Sequence, residues 1–297
     1  MKITGRKHHL AGLALSMSTA LLACGGSTPA VTTPPPATPP TVTWTQVWSD
    51  EFDGPAGSAV DATKWNYDVG DGCQSGNCGW GNNEKEYYST STDNVAINGQ
   101  GQLAITARIA PAGTTCYYGA CRYRSGKIHT RGKLLAQPGR VEARIKLPAG
   151  QGLWPAFWML GADFPAIPWP GCGELDIMEN KGSEPTISSS AVHGPGYSGA
   201  HGITSSYSLK QDEIFADSFH TFAVEWEPDV IRFYCDKLNY KTVTRSDLPK
   251  GTKWVYDQPF FLLLNVAVGG NWPGSPDTTS SFPQVMLVDY VRVYQRP

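Results

Sequence analysis

Residues 139–147 read Gly-Arg-Val-Glu-Ala-Arg-Ile-Lys-Leu, with Val141, Ala143, Ile145 and Leu147 alternating with Glu142, Arg144 and Lys146. A period of two suits a β-strand with one face in a core and the other in water, and it cannot be wound into a helix with one apolar stripe. The same alternation recurs in Gln102–Arg108, where Leu103, Ile105 and Ala107 share a side. Phe222–Glu227, a Pro228-Asp229 turn and Val230–Cys235 form a hairpin pattern, and Met286–Gln295 forms a closing strand. Helical periodicity is scarce. Ten Trp, thirteen Tyr and 32 Gly fit strands and their turns. The expectation is an all-β chain, a sandwich of two antiparallel sheets of about 255 residues without internal repeats.

One strand breaks the pattern of ordinary alternation. Gly173-Glu-Leu-Asp-Ile-Met-Glu-Asn180 threads Glu174, Asp176 and Glu179 through apolar residues. Glu174 and Asp176 share a face by alternation, whereas Glu179, three residues on, falls on the wrong one. A single β-bulge near Ile177-Met178 would restore it, a device common beside active sites. Two glutamates on one wall suit glycoside hydrolysis, one as nucleophile and one as proton donor, with Asp176 between them to orient and tune both. Three close acids also suit a hard cation or a solvated strand face.

Other residues could complete a sugar site. Trp154 and Trp158, four apart, share a strand face and could stack on sugar rings or fill the core. Asn265 interrupts the apolar run Phe260–Gly270, either satisfied by backbone or in contact with sugar. Trp272 lies in a Pro/Gly loop suited to stacking, and His193, before Gly194-Pro-Gly196, is structural or stands beside the reacting bond.

The N-terminus reads as an address. Residues 1–23 carry Lys2, Arg6 and Lys7, then an apolar run from Leu10 to Ala23, too short for the roughly 20 residues a bilayer needs. This reads as an export signal. It ends in Leu21-Leu-Ala-Cys24, which resembles a bacterial lipobox, so Cys24 is expected to carry lipid; ordinary cleavage and secretion is the alternative. Residues 24–42 continue as a Pro/Thr-rich tether, and 43–297 as the catalytic domain. Of 24 Lys+Arg, the signal removes three, leaving 21 against 26 Asp+Glu, a formal charge of −5 that argues against nucleic-acid binding. A monomer is expected, touching membrane only through the anchor. Six cysteines remain, and the equal spacing of Cys73/Cys78 and Cys116/Cys121 in Gly-rich loops suggests local disulfides, although 15 pairings are open.

Seven segments in order resemble family 16 of the glycoside hydrolases, in particular its laminarinase-like β-1,3-glucanases. They are Trp48-Ser-Asp-Glu-Phe-Asp53, Trp80-Gly-Asn-Asn-Glu84, residues 139–146, Gly152–Leu160, the acid segment, Leu264–Gly274 and Val288–Tyr294. The resemblance implies a β-jelly roll with an open concave cleft and retaining hydrolysis of a β-glucan. In it Glu174 matches the nucleophile, Glu179 the acid/base and Asp176 the assisting carboxylate. Asn83, Glu142, Arg144, Trp154, Trp158, His193, Asn265 and Trp272 match positions lining the cleft. No catalytic cofactor is implied. A structural Ca²⁺ is, with Glu51, the carbonyl of Gly101 and Asp289 as ligands. Lichenase-type members have the shorter E-x-D-x-E spacing, so Met178 favours the laminarinase side. Lys85-Glu86 departs from the more usual apolar residue and Gln, and Cys235-Asp-Lys237 lacks the usual hairpin Gly. Mixed-linkage glucan or galactan hydrolysis, or non-catalytic glucan binding, are the competing readings.

Overall fold

The computed structural model describes residues 43–297. The signal, Cys24 and the whole of the tether lie outside the described residues. Two large sheets face each other across one core. The larger runs, in spatial order, through Leu238–Thr244, Val230–Cys235, His220–Glu227, Gly139–Lys146, Gln284–Gln295, Leu103–Ile109, Tyr123–Ser125 and Glu86–Tyr88. The smaller runs Ile203–Ser208, Ile187–His193, Glu174–Glu179, Leu153–Gly161, Phe260–Val268, Lys127–His129 and Asn66–Tyr67. Pairing is antiparallel apart from Glu86–Tyr88 against Tyr123–Ser125, which run parallel. No α-helix occurs among the described residues, only short 3₁₀ turns. This is the jelly-roll sandwich expected from the alternating segments.

Alternation does what the sequence demands. Val141, Ala143 and Ile145 are fully buried, as are Leu103, Ile105 and Ala107, and they meet Phe157, Leu175 and Ile177 of the smaller sheet. Burying each of the Val, Leu and Ile side chains is worth about 1.5–3 kcal/mol, so register is strongly enforced: a one-residue slip would expose the whole set. The Phe260–Val268 strand is buried along its entire length. It reads as continuously apolar because both of its faces are covered: Leu262 and Leu264 join the core, while Phe261 and Leu263 pack on the other side with Leu160, Cys172, Trp158 and Phe164.

The two expected disulfides, Cys73–Cys78 and Cys116–Cys121, are present, and Cys172 and Cys235 are free and buried. The two bridged loops dock through Asp71, which accepts from the N–H of Cys73 at 3.2 Å and of Tyr117 at 2.6 Å.

Candidate active site

The bulge is where the spacing requires it. Trp158 pairs with Asp176 and Phe157 with Met178, so Ile177 is the extra residue on that side; on the other, Asp176 faces Ala191 and Glu179 faces Ser189. Ile177 and Met178 both go into the core, and Glu174, Asp176 and Glu179 come out on the opposite face of the smaller sheet. Asp176 is 4% exposed. Burial, then the neighbouring Asp176 charge, pushes Glu179 up to about 8, against the pull of its hydrogen bond from Trp154. Burial also raises Asp176 to about 8, and burial with the charge of Asp176 pushes Glu174 well above the usual carboxylate range. Three acids packed this closely cannot all ionise near neutrality, so the cluster retains at least one proton there.

Neighbouring strands supply the walls. Trp154 and Trp158 share the outward face of Leu153–Gly161. Trp154 Nε1 donates to Glu179 Oε1 at 2.8 Å, and Trp158 Nε1 to Asn265 Oδ1 at 2.8 Å. Asn265, 6% exposed, in turn donates to the Tyr88 hydroxyl at 3.1 Å, so its buried amide is satisfied while it holds Trp158. His193 pairs in register with Glu174, and its Nε2 lies 3.1 Å from Asp176 Oδ2 and 3.7 Å from Glu174 Oε1. Gly202 makes room for that ring, since a Cβ there would overlap it. Glu174, Asp176 and His193 could also converge on a metal ion. Their seat at the centre of an aromatic cleft reads more simply as an acid cluster with an imidazole brace.

Trp272 is 38% exposed, its ring 5.3 Å from that of Trp154, with the Lys181 ammonium 5.4 Å above it. Asn83 does not touch the acids. Its amide donates to Asn271 Oδ1 at 2.8 Å and so ties down the loop that presents Trp272.

Two expectations are overturned. Glu142 and Arg144 do not line the cleft: they lie on the outer face of the larger sheet, with the whole core between them and the acids. Alternation that sends Val141, Ala143 and Ile145 inward necessarily sends them to the far solvent face. There Glu142 accepts from Arg140 and from the Tyr290 hydroxyl at 2.9 Å, and Arg144 pairs with Asp289 at 2.7 Å.

The segments that carry the expected Ca²⁺ ligands meet on one strand. Along one edge of Gln284–Gln295, the N-terminal strand pairs up to Asp50 with Val291, and Leu103–Ile109 begins at Leu103 with Val288. Glu51, Gly101 and Asp289 therefore border the gap between them. Two carboxylates and a carbonyl are a donor set suited to a hard cation. Each carboxylate is meanwhile held by an arginine, Glu51 by Arg292 at 2.8 and 3.0 Å and Asp289 by Arg144.

The sequence reading missed several residues. Trp169, 44% exposed in the loop before Gly173, stands 6.4 Å from the His193 ring; its Trp-Pro context resembles that of Trp272 and was a usable signal. Lys127 is buried, its ammonium 4.2 Å from the Trp80 ring, 5.1 Å from that of Trp158 and 3.3 Å from Asp68. Nothing in Ser125-Gly-Lys-Ile-His129 distinguishes that lysine from a surface one.

Residues 82–292 match the family model for glycosyl hydrolases family 16. The fold superposes on the endo-β-1,3-glucanase from Pyrococcus furiosus with a TM-score of 0.81 and 46% identity, over 86% of this chain and 96% of that one. A β-glucanase of Rhodothermus marinus is 39% identical over 259 residues, 85% of each chain. Glucan endo-1,3-β-glucosidase A1 of Niallia circulans is 37% identical over 265 residues, 84% of this chain but only 37% of that longer protein. With its acid strand, aromatic walls and sandwich all inside these matches, the chain belongs to glycosyl hydrolase family 16.

Proposed function

We propose that the chain hydrolyses internal β-1,3-glucosidic bonds of laminarin-type glucans with retention of configuration. It is an endo-acting β-1,3(4)-glucanase. The observation that carries the reading is the bulged strand, which turns Glu174, Asp176 and Glu179 to one face beside Trp154, Trp158 and Trp272. Glu174 attacks the anomeric carbon as a carboxylate while Glu179, holding the proton that the raised acid cluster retains, gives it to the departing glycosidic oxygen. The glycosyl ester on Glu174 is then released by water that Glu179 deprotonates, returning both residues to their starting states. Asp176, braced by His193, lies between both glutamates, and its charge when ionised raises the pKa of each. The indoles offer flat apolar faces to the C–H faces of sugars. No cofactor takes part in these steps.

Reducing-sugar release from laminarin, curdlan, lichenan and agarose, with Glu174→Ala as control, tests the assignment. Activity on the β-1,3-glucans that the control lacks is expected. Turnover confined to agarose would replace the glucan reading with a galactan one, and activity surviving in the control would remove Glu174 from its role.

The disulfides fit an enzyme that works outside the reducing cytoplasm. We read the chain as an exported lipoprotein held at the cell surface or outer membrane through Cys24, acting as a monomer. A Ca²⁺ in the gap bordered by Glu51, Gly101 and Asp289 would join the N-terminal strand to Gln284–Gln295.

A further inference from the structure

Behind the Trp154 and Trp158 wall lie two acidic side chains that the reaction does not use. Glu84 is 6% exposed and Glu86 fully buried. Glu86 Oε1 is buried with no donor to satisfy it, so a proton on one of these two neighbouring acids is what it lacks. Glu86 Oε2 also accepts from the Val268 N–H at 2.7 Å, fastening the segment to the strand that carries Asn265. Glu84 accepts from Asn82 Nδ2 at 3.1 Å and faces the Tyr88 hydroxyl at 3.4 Å. Tyr88 is the acceptor for Asn265, and Asn265 the acceptor for Trp158. A side chain at Gly270 would touch both the Trp154 ring at 3.5 Å and the Glu84 Cγ at 3.6 Å, so Gly270 lies between Glu84 and the other indole.

We infer that Glu84 and Glu86 share a single proton and together act as a positioning pair that holds the Trp158 side of the cleft wall. The inference rests on the cleft reading above, since it makes this wall the surface that grips substrate. The charged and titratable groups facing the pair are few. Lys127, shared with Asp68, approaches from Lys127–His129; Tyr88 lies on the pair's own segment; Lys85 turns outward to the Tyr117 hydroxyl at 2.9 Å; Tyr118 donates to the Lys85 carbonyl; Glu179 lies on the acid strand. One ammonium, already partnered by Asp68, faces two buried carboxyl groups. A second ionisation would therefore set two anions against each other in a site with no further cation to take the charge.

Glu86→Gln separates proton sharing from mere burial. Its amide oxygen can keep the Val268 N–H and its NH₂ can donate to Glu84 at every pH, reproducing the protonated pair without the titration. Glu86→Ala removes both bonds. The measurements are Tm from pH 5 to 9 for the wild type and Glu86→Gln, and KM on soluble laminarin at pH 6 for all three proteins. The expected result is a wild-type Tm that falls relative to Glu86→Gln as pH rises, by about 3 °C or more across the range. KM should rise about threefold or more in Glu86→Ala and return toward wild type in Glu86→Gln. Parallel Tm curves would overturn the shared proton, and an unchanged KM in a folded Glu86→Ala would overturn the positioning role. If Glu86→Ala does not fold, the Glu86→Gln slope still decides the shared proton and its KM decides the wall: a rise as large as total loss of grip would overturn it. The Tm comparison uses no substrate, so a wild type inactive on laminarin would refute the glucanase reading separately.

Discussion

The indole N–H of Trp154 points at Oε1 of Glu179, 2.8 Å away. The same indole thereby orients Glu179, the proposed proton donor, and favours its ionised form. In Trp154→Phe the ring stays and the donor goes, so the pKa of Glu179 should rise further. The basic limb of kcat/KM against pH should move upward by about half a unit to one unit, with a several-fold loss at the optimum. A basic limb that stays put or moves down would show that Glu179 is not the group it reports.

Glu174→Ala and Glu179→Ala should each lower kcat by about 10²–10⁴-fold or more, and small anions should tell them apart. Azide can occupy the space left by either carboxylate. With Glu174→Ala and a glucosyl fluoride donor it should yield the inverted glycosyl azide; with Glu179→Ala it should capture the glycosyl-enzyme and yield the retained one. NMR of the products checks the assignment, and the opposite pairing would exchange the two roles.

Stability should fall with alkalinity on account of the cleft. Glu179 ordinarily titrates near 4.5 and is raised to about 8 in the folded chain. The unfolded chain therefore releases this proton first as pH rises, so the contribution is whole below about 4.5 and is lost as pH passes through 8. Glu179→Gln abolishes that contribution. Its Tm should exceed that of the wild type by a margin that grows from pH 5 to pH 8, read by calorimetry; a constant margin would mean the site does not hold its proton.

A cation in the gap bordered by Glu51, Gly101 and Asp289 should be visible in melting behaviour. Protein treated with EDTA should gain Tm when millimolar Ca²⁺ returns, since ligand at about 100 times its Kd adds about 2.7 kcal/mol. Glu51→Gln and Asp289→Asn should each blunt the gain. An EDTA-treated protein whose Tm ignores Ca²⁺ would leave Arg292 and Arg144 as the complete partners of these two acids.

The legible parts of the molecule were those where a single strand states its own environment. Val141, Ala143 and Ile145 announced a one-faced strand, and the three-residue step from Asp176 to Glu179 announced a bulge because no regular strand can accommodate it. Glu142 and Arg144 show the limit: alternation says that they point away from the core, but a sandwich has two outer faces, and only strand order reveals which one holds the acids. Lys127, Glu84 and Glu86 were illegible for a related reason. A buried charge is tolerated through partners distant in sequence, Asp68 for the lysine and the Val268 N–H for Glu86, and local composition carries no trace of them.

The extra residue at Ile177 lies within the hydrogen-bonded ladder, flanked by Phe157 and Trp158 on one side and by Ser189 and Ala191 on the other. The interval between Glu174 and Glu179, the proposed nucleophile and proton donor, is thus built into the framework, while Trp272 and Trp169 hang from connections outside it. The proposed bond-cleaving pair and these outlying aromatic side chains are in this way carried by separate parts of the chain. Those connections can change in length without disturbing the spacing of Glu174 and Glu179.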